Sequence, residues 1–251
     1  KSINIIRIMA GSILIVGGGS DIASELSKRL LESGFKVTLL LRNPDSLDQE
    51  ISSKVSMVVG DALSSENLAS AIETAAEQGE GSILGMAHLV GSILIRPPHA
   101  VKQEAFEEVI QTNLVSAFLA LSMTCKSMLR TGGGRVVFTS SVAASLGLVN
   151  HEAIAAAKGG IESMVRSAAA TYAQRNIRVN AVAPGLTDTK LSGNITKSEA
   201  LLESAVSMIP MKRINQPEEI AEAIFWLLTG APDNLTGQIL HLDGGMKHVR
   251  N

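Results

Sequence analysis

The chain is expected to fold as an α/β domain, a doubly wound, seven-stranded parallel sheet with helices on both faces. Three observations predict this. Short β-branched apolar runs alternate with longer stretches that carry apolar residues at helical spacing, and strands alternating with helices pair in parallel beneath a helical cover. A length of 251 residues suits one large domain with a sizeable core. Aromatic residues make up 3% of a composition that is 45% hydrophobic and 18% charged, so that core must be built from Ala, Val, Ile and Leu.

The elements follow in order. Residues 12–16 form a continuous apolar run that reads as a buried first strand, and it is too short for a bilayer, which needs roughly 20 apolar residues. Residues 22–32 have helical spacing, and Gly34 ends that helix. Strands are predicted over 35–41 and 55–59, a helix over 62–76, and a fourth strand over 85–90. One or two helices follow over 106–129, then a fifth strand over 135–139 and a long helix over 151–175. Residues 177–182 give a sixth strand, 217–228 a helix and 239–242 a seventh strand. The single domain is expected to occupy residues 12–251, with 1–11 as an N-terminal extension or leader. Met9 stands as a possible native start, and a cleaved targeting peptide is the alternative.

Composition narrows the partners. A formal net charge of −2 gives no sign of a nucleic-acid or membrane-surface partner. Cys125 is the only cysteine, so no disulfide forms within the chain, and a reducing compartment fits. The expected location is cytoplasmic, or an organelle interior once a targeting peptide is removed.

Ligands of such sheets bind beyond the carboxyl ends of the strands. The loops after strands one, four, five and six are therefore expected to carry function. Gly17-Gly18-Gly19-Ser20 lies between the first strand and the first helix, where glycines let the backbone approach a pyrophosphate and the helix start offers unpaired N–H groups. Strand two ends in Leu41-Arg42-Asn43 without the acid that holds ribose hydroxyls in NAD enzymes. A guanidinium there can grip a 2′-phosphate, so NADP(H) is expected in preference to NAD(H); the bland alternative is a solvated arginine at a strand end. Residues 186–212 hold few strand signals and sit where a mobile substrate lid would be inserted.

These residues resemble the short-chain dehydrogenase/reductase family, whose phosphate loop reads Thr-Gly-x-x-x-Gly-x-Gly. Here Val16-Gly17-Gly18-Gly19-Ser20-Asp21-Ile22-Ala23 keeps the first glycine and replaces the others by Asp21 and Ala23. A carboxylate beside a pyrophosphate repels it, unless Asp21 caps the helix. The resemblance implies cofactor contacts from Gly17, Gly19, Ser20 and Ile22, and from Asp61 to an adenine amino group. The family's Asn-Asn-Ala-Gly reads His88-Leu89-Val90-Gly91; Gly91 keeps the close approach to cofactor, and His88 reads as a structural substitution. The likeness runs on through Asn113, Ser141, Lys158, residues 178–185, 217–220, 236–238 and 243–245, so it covers nearly the whole chain from Ser12 to Gly245. It implies that Asn113 supports a water chain, that Ser141 donates to a substrate oxygen and that Lys158 holds the nicotinamide ribose. Pro184, Gly185, Thr187 and Thr189 match the loop that meets the carboxamide and pyrophosphate, Thr189 being the better match of the two threonines. Among family members the chain looks most like 3-oxoacyl-acyl-carrier-protein reductases.

One family residue is missing. The tyrosine that precedes the lysine by four residues is Ile154. Isoleucine has no proton to give, and loss of a general acid costs about a hundred- to ten-thousand-fold in rate. Tyr172, the only tyrosine, is fourteen residues beyond Lys158, roughly 20 Å along a helix, and reads as ordinary packing. His151 lies three residues before Ile154 and shares its face if the helix extends back. An imidazole is a competent proton donor near neutral pH. The alternative is a surface histidine beside a helix cap formed by Asn150. Two functions stay open: an NADP(H)-dependent oxidoreductase of carbonyl or acyl substrates with a rebuilt proton-donor site, or a catalytically silent, nucleotide-binding structural or regulatory protein. The resemblance also implies a homotetramer or homodimer, and no metal.

Overall fold

A computed structural model describes residues 11–250, so all but the last residue of the expected leader, 1–11, lies outside the described residues. Gly11, placed in that leader on sequence, is buried, and its carbonyl accepts from Lys36 N at 3.2 Å, which ties it to the sheet. Seven strands form one parallel sheet in the order β3-β2-β1-β4-β5-β6-β7. They are β1 (Ser12–Val16), β2 (Lys36–Leu41), β3 (Ser56–Val59), β4 (Gly85–His88), β5 (Gly134–Thr139), β6 (Ile177–Pro184) and β7 (Ile239–Leu242). The order reverses between β1 and β4, where Val16 pairs with Leu40 on one side and His88 on the other.

The period of two along each strand divides the core. Leu14 and Val16 face a cluster shared with α3 (Ser65–Gln78), α5 (Ser116–Thr131) and α6 (Glu152–Tyr172). Ile13 and Ile15 face the opposite cluster, shared with α1 (Asp21–Glu32) and α9 (Pro217–Thr229). Tyr172, the last residue of α6, packs on the first cluster, in keeping with its sequence reading.

Local chemistry sets the ends. Ser20 caps α1, its hydroxyl accepting from Ala23 N at 3.1 Å. Helix α3 begins at Ser65, three residues later than the spacing predicts, because the Ser64 hydroxyl accepts from Asn67 N at 3.2 Å. The 106–129 stretch resolves into α4 (Gln103–Ile110) and α5, joined by a π-helical turn, Gln111–Val115. By length and composition alone Gln103–Thr131 could cross a membrane; its Ala117, Ala120, Leu121, Cys125 and Met128 pack on the sheet. The 186–212 segment forms a turn at Lys190–Ser192 and two short helices, α7 (Gly193–Thr196) and α8 (Glu199–Ser207). The remaining helix, α2 (Gln49–Ser52), is a single turn.

Candidate functional site

A cavity of about 980 Å³ opens at the carboxyl ends of the strands, across the reversal between β1 and β4. Every candidate site residue named above lines it: Gly17, Gly19, Ser20, Ile22, Arg42, Asp61, Gly91, Asn113, Ser141, His151, Lys158, Pro184, Gly185, Thr187 and Thr189. The sheet accounts for most of this gathering, since most of these residues end or follow a strand or start a helix at that one edge, while Asn113 and Lys158 reach it from within the π-helical turn and α6.

At one end is the glycine turn. Gly17 has a φ of +93°, and a Cβ there would lie 2.7 Å from Val90 N, so both conformation and space demand glycine. Gly17 N and Gly18 N donate to Leu40 O at 2.9 and 3.0 Å, which fixes the turn against β2. Asp21 does not cap α1. Its carboxylate accepts from Lys190 N at 2.7 Å and pairs with Lys190 Nζ at 3.4 Å, so the charge that threatened a pyrophosphate is engaged by the 186–212 segment. Arg42 is exposed at the cavity wall, where β2 ends. One oxygen of Asp61 accepts from Leu63 N at 2.9 Å, and the backbone N of Asp61 donates to Asn67 Oδ1 at 2.9 Å.

At the other end is Lys158, buried on α6, with Nζ donating to Thr139 O at 2.8 Å. Burial lowers its pKa to about 8, because a low-dielectric surrounding disfavours the ammonium. Asn113 sits in the π-helical turn. Its Nδ2 donates to Val109 O at 2.9 Å and to Ser92 Oγ at 3.0 Å, and its Oδ1 accepts from Ser92 N at 3.2 Å. A Cβ on Gly91 would lie 3.2 Å from Asn113 Oδ1 and 3.6 Å from Lys158 Nζ, so glycine keeps the space in front of both groups open.

Ser141 lies two residues past the end of β5 rather than closing it, and caps the 3₁₀ turn Val142–Ala144. Its Oγ accepts from Ala143 N at 3.2 Å, which leaves the hydroxyl proton free to donate. Before it, Ser140 Oγ donates to the buried Glu162 Oε1 at 3.0 Å and so fixes the strand end to α6. His151, and not Asn150, is the cap residue of α6; Asn150 takes a left-handed φ of 63° and its carbonyl accepts from Arg96 N at 3.0 Å. The His151 ring meets Val149 O through Nδ1 at 2.7 Å. A carbonyl only accepts, so Nδ1 carries a proton and Nε2 is the ring nitrogen available to a ligand. Between His151 and Lys158 stands Ile154, packed with Val109, Ala143, Ala153 and Ala157.

His88 is fully buried outside the cavity lining. Ser116 Oγ donates to Thr112 O at 2.6 Å, so it must accept from His88 Nε2, 3.0 Å away. Burial, reinforced by the Lys158 charge, lowers the His88 pKa to about 3. The histidine is a structural brace from β4 to the π-helical turn, as its position in the sequence suggests. On the far side of the cavity, Gly185 N donates to Leu242 O at 2.8 Å, Thr187 Oγ1 donates to Gly185 O at 3.1 Å, and Thr189 caps Lys190–Ser192 in a mutual bond with Ser192.

Sequence reasoning passed over Ser92 and Lys190, and also the apolar side chains Ile93, Ile95, Leu191, Met208 and Met246 on the cavity wall. Ser92 carried a signal, since it directly follows Gly91. The apolar residues carried none, because they come from separate loops.

The model of the family described as enoyl-(acyl carrier protein) reductase matches residues 17–247. The 3-oxoacyl-[acyl-carrier-protein] reductase MabA of Mycobacterium tuberculosis is 30% identical over 239 residues, 94% of this chain and 92% of the relative. Carbonyl reductase family member 4 of Danio rerio is 32% identical over 247 residues, 95% and 99% of the two chains. Among solved structures, a short-chain type dehydrogenase/reductase from Mycobacterium ulcerans superposes with a TM-score of 0.89 at 29% identity, covering 94% of this chain and 90% of that one. Levodione reductase gives 0.89 at 27% identity, over 96% and 99%. By that full-length similarity the chain belongs to the short-chain dehydrogenase/reductase family of oxidoreductases.

Proposed function

We propose that this protein is an NADP(H)-dependent oxidoreductase of the 3-oxoacyl-carrier-protein reductase type, interconverting a carbonyl and an alcohol, with His151 holding the proton that the family's tyrosine holds elsewhere. The observation that carries this reading is that Ser141, His151 and Lys158 share one cavity with the glycine turn.

The residues fit a dinucleotide. The Gly17 turn admits no side chain, Gly91 leaves space before Lys158 Nζ, and the Asp21 charge is engaged by Lys190. Gly17, Gly19, Ser20 and Ile22 would take the pyrophosphate at the start of α1, Asp61 the adenine, and Pro184, Gly185, Thr187 and Thr189 the nicotinamide side. Arg42 would pair with a 2′-phosphate. Such a nucleotide supplies or accepts hydride when bound; the proton is the protein's task.

Ser141 donates its free hydroxyl proton to the substrate oxygen and orients the carbonyl. The imidazolium of His151 donates Nδ1–H to Val149 O and offers Nε2–H to the oxygen as it gains charge. Giving up the Nε2 proton returns the ring to the tautomer that the Val149 contact selects. Lys158 would hold a ribose hydroxyl of the bound nucleotide, and its positive charge favours the developing alkoxide. Asn113, braced by Val109 O and Ser92, keeps the helix turn behind Lys158 in place.

Titration of NADPH and NADH by fluorescence, followed by ketone addition, tests the reading. Tight NADPH binding with ketone-dependent oxidation is expected. Absence of nucleotide binding would leave the silent, structural alternative in its place.

A further inference from the structure

The cavity beyond Lys158 is walled by hydrocarbon, and from this we infer that the substrate carbonyl is carried on an uncharged, aliphatic body rather than on a sugar, a hydroxy acid or a phosphorylated molecule. The inference rests on the oxidoreductase reading above and names the substrate class of that site.

Two layers of apolar side chains carry it. Inside, Leu148, Ile154, Ile209 and Met246 line the wall around His151 and Lys158. At the mouth, Ile93, Ile95, Val149, Leu191 and Met208 line the same cavity and are all exposed, Val149 at 83%. These five come from three segments: the loop after β4, the loop before α6, and the 186–212 segment. The loop after β4 is held to the loop before α6 by Arg96 N donating to Asn150 O at 3.0 Å. One amphipathic element cannot account for apolar residues from three loops meeting at one opening, and exposed apolar patches of this kind mark ligand surfaces.

The polar inventory points the same way. Asp21 starts α1, and Arg42 and Asp61 lie just past the ends of β2 and β3, on the glycine-turn side. Lys190 is paired with Asp21, and Lys158 Nζ donates to Thr139 O. A substrate carboxylate or phosphate would therefore find only His151 and the already bonded Lys158. Hydroxyls fare no better. Thr187, Thr189, Ser192 and Asn113 are spent on internal bonds, which leaves Ser92, Thr112, Thr139, Ser141 and Ser204 as the hydroxyls on the wall beyond the glycine turn. Ser141 is needed by the carbonyl, and the remaining hydroxyls are few beside the hydrocarbon of the wall, so most further hydroxyls of a polyol would be desolvated without a partner. Ile154 completes the pattern, since it puts a branched hydrocarbon where a phenol would have offered a polar tip.

The test uses the full chain saturated with NADPH and a series of 2-alkanones from 2-butanone to 2-decanone, with dihydroxyacetone and acetoacetate as polar and charged probes. Turnover and substrate-induced thermal shift are both read. Apparent affinity is expected to rise about three- to four-fold per methylene until the chamber is filled, with both polar probes at least 100-fold below 2-octanone. Leu191→Ser and Met208→Ser are expected to flatten the chain-length slope. Preferred turnover of dihydroxyacetone or acetoacetate would overturn the inference while leaving the oxidoreductase reading intact. Chain-length-dependent binding without turnover would do the reverse. Absence of any chain-length dependence in either readout overturns the inference.

Discussion

His151 and Ile154 lie three residues apart and line one cavity, the first with an imidazole and the second with a branched hydrocarbon that also packs into a small apolar cluster. If His151 is the proton donor, His151→Ala lowers the rate of ketone reduction about a hundred- to ten-thousand-fold and leaves the NADPH dissociation constant within about two-fold by fluorescence titration. If Arg42 grips a 2′-phosphate, Arg42→Ala removes a charge-assisted pair worth about 1.5–3 kcal/mol; NADPH binding is then expected to weaken about 10- to 100-fold and NADH binding to change little. His88 makes a separate statement. Its pKa is lowered from 6.5 to about 3, so the folded state refuses a proton that the unfolded chain accepts. Stability is fully present above pH 6.5 and is lost as pH falls toward 3, with a slope of up to about 1.4 kcal/mol per pH unit. His88→Asn is expected to flatten that slope in urea unfolding between pH 6 and 4, and an unchanged slope would remove His88 from the account.

At the scale of the elements, the strand–turn–helix unit at β1 and α1 shows what was legible in the sequence and what was not. A glycine run after an apolar strand named the turn, and Gly17 bears it out with a positive φ and a Cβ position blocked by Val90 N. Gly17→Ala combines a left-handed conformation with overpacking and is expected to cost roughly 2–4 kcal/mol in chemical denaturation. The role of Asp21 could not be read, because its partner Lys190 lies 169 positions away and no local periodicity links them. The cap of α6 was misplaced by one residue for a related reason: the Asn150 carbonyl bonds Arg96 N, a contact made across loops. The π-helical turn that holds Asn113 was equally hidden, since its brace runs from His88 through Ser116 to Thr112 O. Alternating strand and helix periods are local signals; long-range polar bonds are not.

For the whole molecule, the alternation of strands and helices, the carboxyl-edge rule and the family spacing were enough to place every named site residue around one cavity. The apolar mouth escaped because its residues are scattered over three loops and are ordinary in each. The molecule also exposes Phe106, Phe118 and Leu129 on α4 and α5, and Trp226 and Leu240 on α9 and the edge strand β7. Two such faces suit the homotetramer or homodimer that the family resemblance implies, and sedimentation equilibrium is expected to return four or two times the chain mass; Phe118→Glu should shift the population toward smaller species. The most direct test of the account is a single-turnover reduction of 2-octanone, with NADPH fluorescence followed in the parent and in His151→Ala after equal nucleotide loading. Rapid ketone-dependent NADPH oxidation in the parent, slowed at least 100-fold in the variant, is the predicted result; equal rates in both, or a parent that binds NADPH and never oxidises it, would contradict it.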